Sequence, residues 1–325
     1  MIVLANSEAA GGISAAAAIL AEGKPALDAI EAGIRLVEAD ETVRSVGRGG
    51  WPNLLGEVEL DACVMDGTSL RCGAVGALKG FLHPVSVARQ VMELLPHVFL
   101  VGDGAARFAA EIGAERADTL TADSRRAWRA WFEHEVSASD RHAWASVPLA
   151  PLCRAAIDPR IGGDTAVFLA LDQAGDIAVA TSTSGWGWKY PGRLSDSPIV
   201  GAGCYSDTRY GACACTGTGE MAIRAGTARA VVLYMKMGLS LTDALHEAAE
   251  DMRPLKGGLI HGVAMHAIDR GGNYKVVSVN GLPTYRYWVW EPGMTEPQSR
   301  GVDNIVVTAP RLGPSPLLRY MEPPE

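Results

Sequence analysis

Residues 162–198 have the sequence GGDTAVFLALDQAGDIAVATSTSGWGWKYPGRLSDSP. Two apolar runs, TAVFLAL and IAVATST, flank the turn composition DQAGD, and this order predicts a β-hairpin. The second run ends in a cluster of hydroxyl side chains: Thr181, Ser182, Thr183 and Ser184. A loop bounded by proline and glycine follows and carries Arg193 and Asp196. Thr165, directly after an aspartate, thus opens an apolar strand with many polar groups close behind it.

Helical patterns lie on both sides of this hairpin. Apolar residues recur at helical spacing in residues 25–38 and 84–95, each time with a proline in the first turn, which predicts two helices. Residues 219–238 and 240–252 predict two further helices, the second with Ser240 as its N-cap.

Further strands are expected towards the C-terminus. Residues 263–268 and 274–279 flank the turn composition DRGGN as a second hairpin, and residues 304–310 supply a late strand. Residues 120–161 carry tryptophans and histidines among charges without a clear period, so we expect an exposed connection there. Helices, strands, helices and strands in this order favour an α+β fold with sheets between helical layers over a regular βαβ barrel.

Composition narrows the class of protein. The chain has 325 residues, 48% of them hydrophobic and 20% charged, which is typical of a globular protein. Its formal net charge of −8 argues against a nucleic-acid partner, because phosphate binding needs a basic face. No apolar run has membrane-spanning length, and the N-terminus lacks the basic start of a signal peptide, so we expect a cytoplasmic protein with no membrane partner.

Six cysteines in a chain of this length are too sparse for a disulfide scaffold. Cys213 and Cys215 have C-x-C spacing without a second pair at metal-site spacing, which favours buried thiols over a zinc or redox site. We expect no metal and no cofactor.

Thr165 has two interpretations. A threonine hydroxyl is a weak nucleophile that needs a nearby base. Its own α-amino group, with a pKa near 7.7–8, can be that base, but only after the chain is cut between Asp164 and Thr165. Alternatively, Thr165 is a β-branched residue that opens a strand, and Asp164 merely ends a turn.

Arg193 and Asp196 are three residues apart, so both side chains can point into one pocket. A guanidinium binds a carboxylate and a carboxylate binds an ammonium, which suits an amino-acid zwitterion. The alternative is a surface ion pair.

The segment CACTGTGE, residues 213–220, places Thr216 and Gly217 just before a predicted helix. A hydroxyl and free backbone N–H groups at a helix start can stabilise a developing oxyanion. A Gly-rich helix start is common in proteins, so this segment alone does not indicate an oxyanion hole.

Together these segments resemble the asparaginase-2 branch of the N-terminal nucleophile hydrolases, and within it the glycosylasparaginases most. The similarity covers nearly the whole chain in several long motifs: ALDAIEAGIRLVEADETVRSVGRGG, GEVELDACVMDG, HPVSVARQVMELLPHVFLVGDGA, DTAVFLALD, STSGWGWKYPGRLSDSPIVGAG and TGTGE. The resemblance implies one four-layer αββα sandwich domain over residues 1–325. It also implies an inactive precursor that cleaves itself into an α subunit, residues 1–164, and a β subunit, residues 165–325. We expect a homodimer of the precursor or of the cleaved αβ units.

The resemblance also implies a role for each matching residue. Thr165 matches the nucleophile, Asp164 the residue before the scissile bond, and Thr183 the hydroxyl that supports the nucleophile. Arg193 and Asp196 match the groups that hold the α-carboxylate and the α-ammonium of the substrate. Thr216 and Gly217 match the oxyanion hole.

Several positions depart from the family pattern. Gly163, Ala166 and Val167 stand where the family usually has His, a branched residue and Gly, and Ser195 stands where Gly is usual. The N-terminal segment LANSEAA lacks the tryptophan of the glycan-cleaving members, and the sequence leaves open whether Trp51, Trp186 and Trp188 replace it or belong to the core.

The implied function is a self-processing amidohydrolase for a small amino-acid-type substrate, cleaving the side-chain amide of glycosylasparagine or asparagine. One alternative is an isoaspartyl peptidase/L-asparaginase. The altered GGDTAVF segment supports another: an uncleaved, non-catalytic relative that binds an amino acid or acts as an assembly partner.

Overall fold

The computed structural model of the chain describes residues 1–157, 165–281 and 284–307. Within these residues the strands form an eight-stranded and a five-stranded sheet. The strands are β1 Ile2–Asn6, β2 Leu60–Asp66, β3 Cys72–Leu78, β4 Phe99–Val101, β5 Ala166–Leu171, β6 Ile177–Thr183, β7 Cys204–Asp207, β8 Gly211–Gly217, β9 Val263–Asp269, β10 Tyr274–Val279, β11 Arg286–Trp290, β12 Gln298–Gly301 and β13 Asp303–Ile305. Their order is β12-β11-β1-β5-β6-β2-β3-β4 in the larger sheet and β13-β10-β9-β8-β7 in the smaller one.

The helices occupy the segments between groups of strands. They are α1 Ile13–Ala21, α2 Ala26–Ala39, α3 Pro84–Leu94, α4 Gly102–Glu111, α5 Ala122–Glu135, α6 Ala138–His142, α7 Leu149–Ala156, α8 Gly219–Ala225, α9 Thr227–Lys236 and α10 Leu241–Glu250. A 3₁₀ turn, Ser7–Gly11, connects β1 to α1, and a second, Trp144–Ser146, precedes α7.

Three apolar cores lie between the successive layers of helices and sheets. Leu169 of β5 and Ile268 of β9 lie in the core between the two sheets. Phe168 of β5 faces the opposite side, where Ile30 and other residues of α1–α4 cover the larger sheet. The outer face of the smaller sheet packs on α8–α10. Successive strand residues point to opposite faces, so strands covered on both sides are apolar throughout. The predicted αββα sandwich is confirmed.

Both predicted hairpins are confirmed. β5 pairs antiparallel with β6, with Ala166 opposite Ser182, and β9 pairs antiparallel with β10. The Ser240 side chain accepts a hydrogen bond from the Asp243 N–H at the start of α10, as the N-cap prediction requires. The late strand is shorter than predicted: β13 ends at Ile305, and residues 308–310 lie outside the described residues.

Two predictions about helices were wrong. Residues 219–238 form two helices instead of one, because Gly226 adopts a left-handed conformation with φ 63° between α8 and α9. Residues 122–156 are not a plain exposed connection but contain α5, α6 and α7. Trp131 of α5 packs on Trp188 in a separate apolar cluster, at a ring distance of 6.1 Å. Of the segment 120–161, residues 158–161 lie outside the described residues.

None of the helices within residues 1–157, 165–281 and 284–307 is long and apolar enough to cross a membrane.

Candidate active site

Thr165 lies at the start of β5, between the two sheets, and is 4% exposed. The Asn6 amide, at the end of the neighbouring strand β1, holds the backbone there. Asn6 Nδ2 donates to the Thr165 carbonyl oxygen at 2.5 Å, and Asn6 Oδ1 accepts from the Val167 N–H at 3.1 Å. One side chain therefore fixes the backbone on both sides of Ala166.

Ser197 brings the polar loop onto Thr165. The Ser197 hydroxyl lies 3.4 Å from Thr165 Oγ1, and the Ser197 carbonyl accepts a hydrogen bond from Thr181 Oγ1 at 2.8 Å. Thr165, Thr181 and Val167 share one side of the hairpin, because strand residues alternate between faces. Ser197, which sequence reasoning did not single out, is thus a hydroxyl neighbour of Thr165.

The Thr183 hydroxyl donates to the Ser45 carbonyl at 3.1 Å and accepts from the Gly185 N–H at 2.9 Å. The Ser184 N–H donates to the same carbonyl at 2.7 Å. The end of β6 is therefore tied to the segment that follows α2.

Asp61 of β2 fixes the loop that carries Arg193 and Asp196. Its carboxylate is fully buried and accepts from the Ala77 N–H at 2.9 Å, the Ser195 N–H at 2.9 Å and the Ser195 hydroxyl at 3.0 Å. The Ser195 hydroxyl in turn accepts from the Ser197 N–H at 3.2 Å. Ser195, a departure from the family pattern, is thus built into the loop through its hydroxyl.

Arg193 is held by Glu220 at the start of α8. Nε and Nη2 of Arg193 donate to the Glu220 carboxylate at 2.9–3.0 Å, and the guanidinium lies 4.8 Å from the centre of the Trp186 ring. Nη1 is buried and has no hydrogen-bond partner among the described residues. Arg193 does not form the surface ion pair with Asp196 that was one interpretation of the sequence; its ion pair is with Glu220.

Asp196 is 2% exposed, and its Oδ2 has no hydrogen-bond partner in the part of the chain that the structure describes. Burial raises the pKa of this carboxyl to about 7, although the nearby Arg193 lowers it. The backbone of Gly219 approaches so closely that a Cβ there would lie 2.5 Å from Asp196 Oδ1. Only glycine fits this position.

Thr216 and Gly217 end β8 and lie at the same end of the sandwich. Thr216 shares the inter-sheet side of β8 with Ala214, a residue of the core that also contains Val167. Gly217 has φ 99°, and a Cβ there would lie 2.5 Å from the Gly262 carbonyl oxygen. Thr216 Oγ1 lies 3.1 Å from the hydroxyl of Tyr285.

The base of the Arg193 loop rests on a buried lysine. Lys189 is fully buried, and its Nζ donates to the Glu59 carbonyl at 3.1 Å. The Glu59 carboxylate accepts from the Gly192 N–H at 2.9 Å. Burial lowers the pKa of Lys189.

Trp51, Trp186 and Trp188, the three tryptophans whose role the sequence left open, are buried. Trp51 and Trp188 stack at 5.8 Å in the cluster around α5, and Trp186 lies under Arg193. Trp51 and Trp188 therefore belong to the core, whereas Trp186 contacts a predicted site residue.

The structure brings the predicted residues of the described part together at one end of the sandwich. Ser197 links the loop to Thr165, and Glu220 and Gly219 link the same loop to the segment after Thr216. Asp164 and Gly163 lie outside the described residues. Sequence reasoning missed Asn6, Asp61, Ser197 and Glu220. The only signal for Glu220 was its place in the TGTGE motif.

No cluster of His, Cys, Asp or Glu within the described ranges is arranged to hold a metal ion. Cys213 and Cys215 are buried free thiols, as expected.

Comparison with known proteins agrees with this geometry. A family model described as asparaginase matches residues 7–284. The chain belongs to the asparaginase-2 family. The predicted resemblance is confirmed, and the match supports an amidohydrolase.

The relatives that match this chain have names that denote different activities. It is 41% identical to an N(4)-(β-N-acetylglucosaminyl)-L-asparaginase of Elizabethkingia miricola over 71% of the chain and 63% of that relative's length. It is 38% identical to an isoaspartyl peptidase of Salmonella typhimurium over 83% of the chain and 82% of the relative. A plant-type L-asparaginase of Pyrococcus abyssi is 34% identical over 84% of the chain and 86% of the relative. The alignment thus spans less than two thirds of the first of these proteins.

Proposed function

We propose that the protein is a self-processing amidohydrolase that cleaves the side-chain amide of an asparagine-type amino acid. One observation carries the proposal. Arg193 Nη1 and Asp196 Oδ2 are both buried without a partner in the described structure, on the loop whose Ser197 reaches Thr165. Buried polar atoms are normally hydrogen-bonded, so a ligand with complementary groups is expected.

An amino-acid zwitterion supplies those groups. Its α-carboxylate would accept from Arg193 Nη1, and its α-ammonium would donate to Asp196. Because both partners lie in one loop, the substrate would be held by its backbone end, with the side-chain amide directed to Thr165. The fixed Arg193 and Asp196 would then make both α-groups obligatory.

Thr165 is proposed to attack the amide carbonyl. Its own α-amino group would take the hydroxyl proton and pass it to the leaving nitrogen. The Thr216 hydroxyl and the Gly217 N–H are proposed to stabilise the negative charge on the carbonyl oxygen. Water would then open the resulting ester, giving aspartate, and Thr183 would support the nucleophile from the neighbouring strand.

This role needs a free Thr165 amine, so self-cleavage is part of the proposal. The Thr165 hydroxyl would add to the Asp164 carbonyl carbon, the peptide C–N bond would break, and an ester would form in its place. Water would cleave the ester and leave a carboxylate on Asp164 and a free amine on Thr165. No protease and no cofactor enter this scheme.

The leaving group is proposed to be a glycosylamine or ammonia, as the names of the relatives from Elizabethkingia miricola and Pyrococcus abyssi suggest. The Salmonella typhimurium relative supports a β-aspartyl peptide as the alternative. Fully cleaved protein should be assayed in parallel with glycosylasparagine, asparagine and a β-aspartyl dipeptide, and aspartate release should be quantified. Thr165→Ala, which should be inactive with all three, is the control.

Turnover of none of the three substrates by wild-type protein would contradict the proposal. If calorimetry then detected aspartate binding that Arg193→Ala abolishes, the non-catalytic, amino-acid-binding alternative would be supported. Turnover of substrates with a blocked α-amino group at an unchanged rate would contradict the assigned role of Asp196.

A further inference from the structure

The Thr216 hydroxyl has a neighbour that the proposed mechanism does not use. Thr216 Oγ1, on the five-stranded sheet, lies 3.1 Å from the hydroxyl of Tyr285. Tyr285 directly precedes β11, which belongs to the eight-stranded sheet. The contact therefore joins the two sheets at the proposed oxyanion hole.

The direction of β11 places the Tyr285 side chain between the two sheets. Tyr287, two residues later, packs in the core between the sheets, so Tyr285 faces the same side. The imidazole of His266, on β9, packs edge-on near the Tyr285 ring, with 6.0 Å between the ring centres. His266 is fully buried, and burial lowers its pKa to about 3, so a neutral ring supports the tyrosine at ordinary pH.

The chemistry of two hydroxyl groups decides which one donates during catalysis. The Thr216 hydroxyl has one proton and can accept further hydrogen bonds on its oxygen. If it donates that proton to the substrate oxyanion, the contact with Tyr285 persists only with the phenol as donor. A phenol that donates to Thr216 Oγ1 also polarises the Thr216 O–H bond, because hydrogen bonds in a chain strengthen one another.

We propose that Tyr285 is a positioning residue of the oxyanion hole, whose phenol donates to Thr216 Oγ1 and directs the Thr216 proton to the substrate oxygen. This inference rests on the proposed function. It assigns Tyr285 a role in stabilising the transition state but none in binding the substrate. Its loss should consequently lower kcat and leave KM unchanged.

Tyr285→Phe, Thr216→Val and the double variant test the proposal, with Tyr287→Phe as a matched control on the same face. Rates are measured with the best substrate of wild-type protein and divided by the fraction of cleaved chain from mass spectrometry. Removal of an oxyanion-hole donor typically costs 10²–10³-fold in kcat, so Thr216→Val should lose about 100-fold. Tyr285→Phe should lose about 10-fold in kcat with KM within about twofold, since it acts through Thr216.

The double variant is decisive. If Tyr285 acts through Thr216, Tyr285→Phe should cause no further loss in the Thr216→Val background. A full further loss in that background would mean that the phenol acts on its own, and a rise of KM alone would mean that it binds substrate; each result would overturn the proposal. Wild-type kcat in Tyr285→Phe would overturn this inference alone, whereas a wild-type protein without turnover would overturn the proposed function together with it.

Discussion

Glu220 binds the Nε and Nη2 edge of Arg193 by hydrogen bonds of 2.9–3.0 Å, and this ion pair leaves Nη1 of the arginine buried and without a partner in the described structure. A guanidinium that is fixed on one edge presents its remaining N–H groups in a defined direction. The pair therefore prepares Arg193 for a second anion before any ligand arrives.

Glu220→Gln should weaken substrate binding more than catalysis. The neutral amide replaces a charge-assisted, two-point contact by a weaker one, so Arg193 becomes less well positioned. We expect KM to rise about tenfold and kcat to change less than about threefold. Glu250→Gln is the matched control, because Glu250 pairs with Arg253 on the exposed surface. Equal KM values for both variants would show that Glu220 does not position Arg193.

The pH dependence of kcat/KM should report the ionisation of Asp196. Burial raises its pKa to about 7, and only the ionised form attracts an α-ammonium group. Protonation of the Thr165 amine, whose pKa lies near 7.7–8, already lowers kcat/KM by about tenfold per pH unit. Below about pH 7 the added protonation of Asp196 should therefore steepen the fall to about 100-fold per pH unit. Glu220 also raises this pKa, so Glu220→Gln should move the acid limb of the profile to lower pH. A profile that is flat between pH 5 and 8, or an unmoved limb in the variant, would contradict this assignment.

Asp196 should also destabilise the folded protein at alkaline pH. Its pKa is higher in the folded chain than in the unfolded one, so the folded state binds more protons between about pH 4 and 7, and stability falls as pH rises through that range. Asp196→Asn removes the titrating group and should have a higher Tm than wild type at pH 8. The difference should shrink as pH is lowered towards 4. Thermal unfolding at three pH values without substrate measures it, and a difference independent of pH would be the contrary result.

Local sequence signals predicted those elements whose stability is encoded locally. The hairpin after Thr165 has alternating, mainly apolar strands around a turn composition, and Ser240 caps its helix through a residue only three positions away. α5 was missed because its buried side carries few apolar residues, among them Ala127 and Trp131, between many charges. Its partner, Trp188, lies far away in sequence, so no local pattern indicates their contact.

In the candidate site, too, local features were predicted and contacts between distant residues were missed. Arg193 and Asp196 were found because they share a short loop, but Asp61, which holds that loop, is 134 residues from Ser195. A carboxylate in a strand gives no local sign of the loop that it will bind. The raised pKa of Asp196 depends on burial by several chain segments and is likewise absent from the local sequence.

Self-cleavage is the prediction on which the N-terminal nucleophile depends. Purified chain kept for days at neutral pH should convert without added protease into pieces of 164 and 161 residues, because the Thr165 hydroxyl can attack the preceding carbonyl. Thr165→Ala should stay intact and inactive, whereas Thr165→Ser, which keeps a hydroxyl, should retain part of both reactions. Mass spectrometry of intact protein follows the conversion, and Thr181→Val, which changes a hydroxyl on the same face of the hairpin, is the matched control.

The three variants separate chemistry from folding. Thr165→Ala and Thr165→Ser should show wild-type circular dichroism, since the Asn6 amide holds Thr165 through its backbone carbonyl and not through its hydroxyl. Conversion in Thr181→Val but not in Thr165→Ala would assign the nucleophile to Thr165. An unconverted wild-type chain that is indistinguishable from Thr165→Ala in every assay would refute the N-terminal-nucleophile mechanism, and the buried Arg193 and Asp196 would then be explained by binding alone.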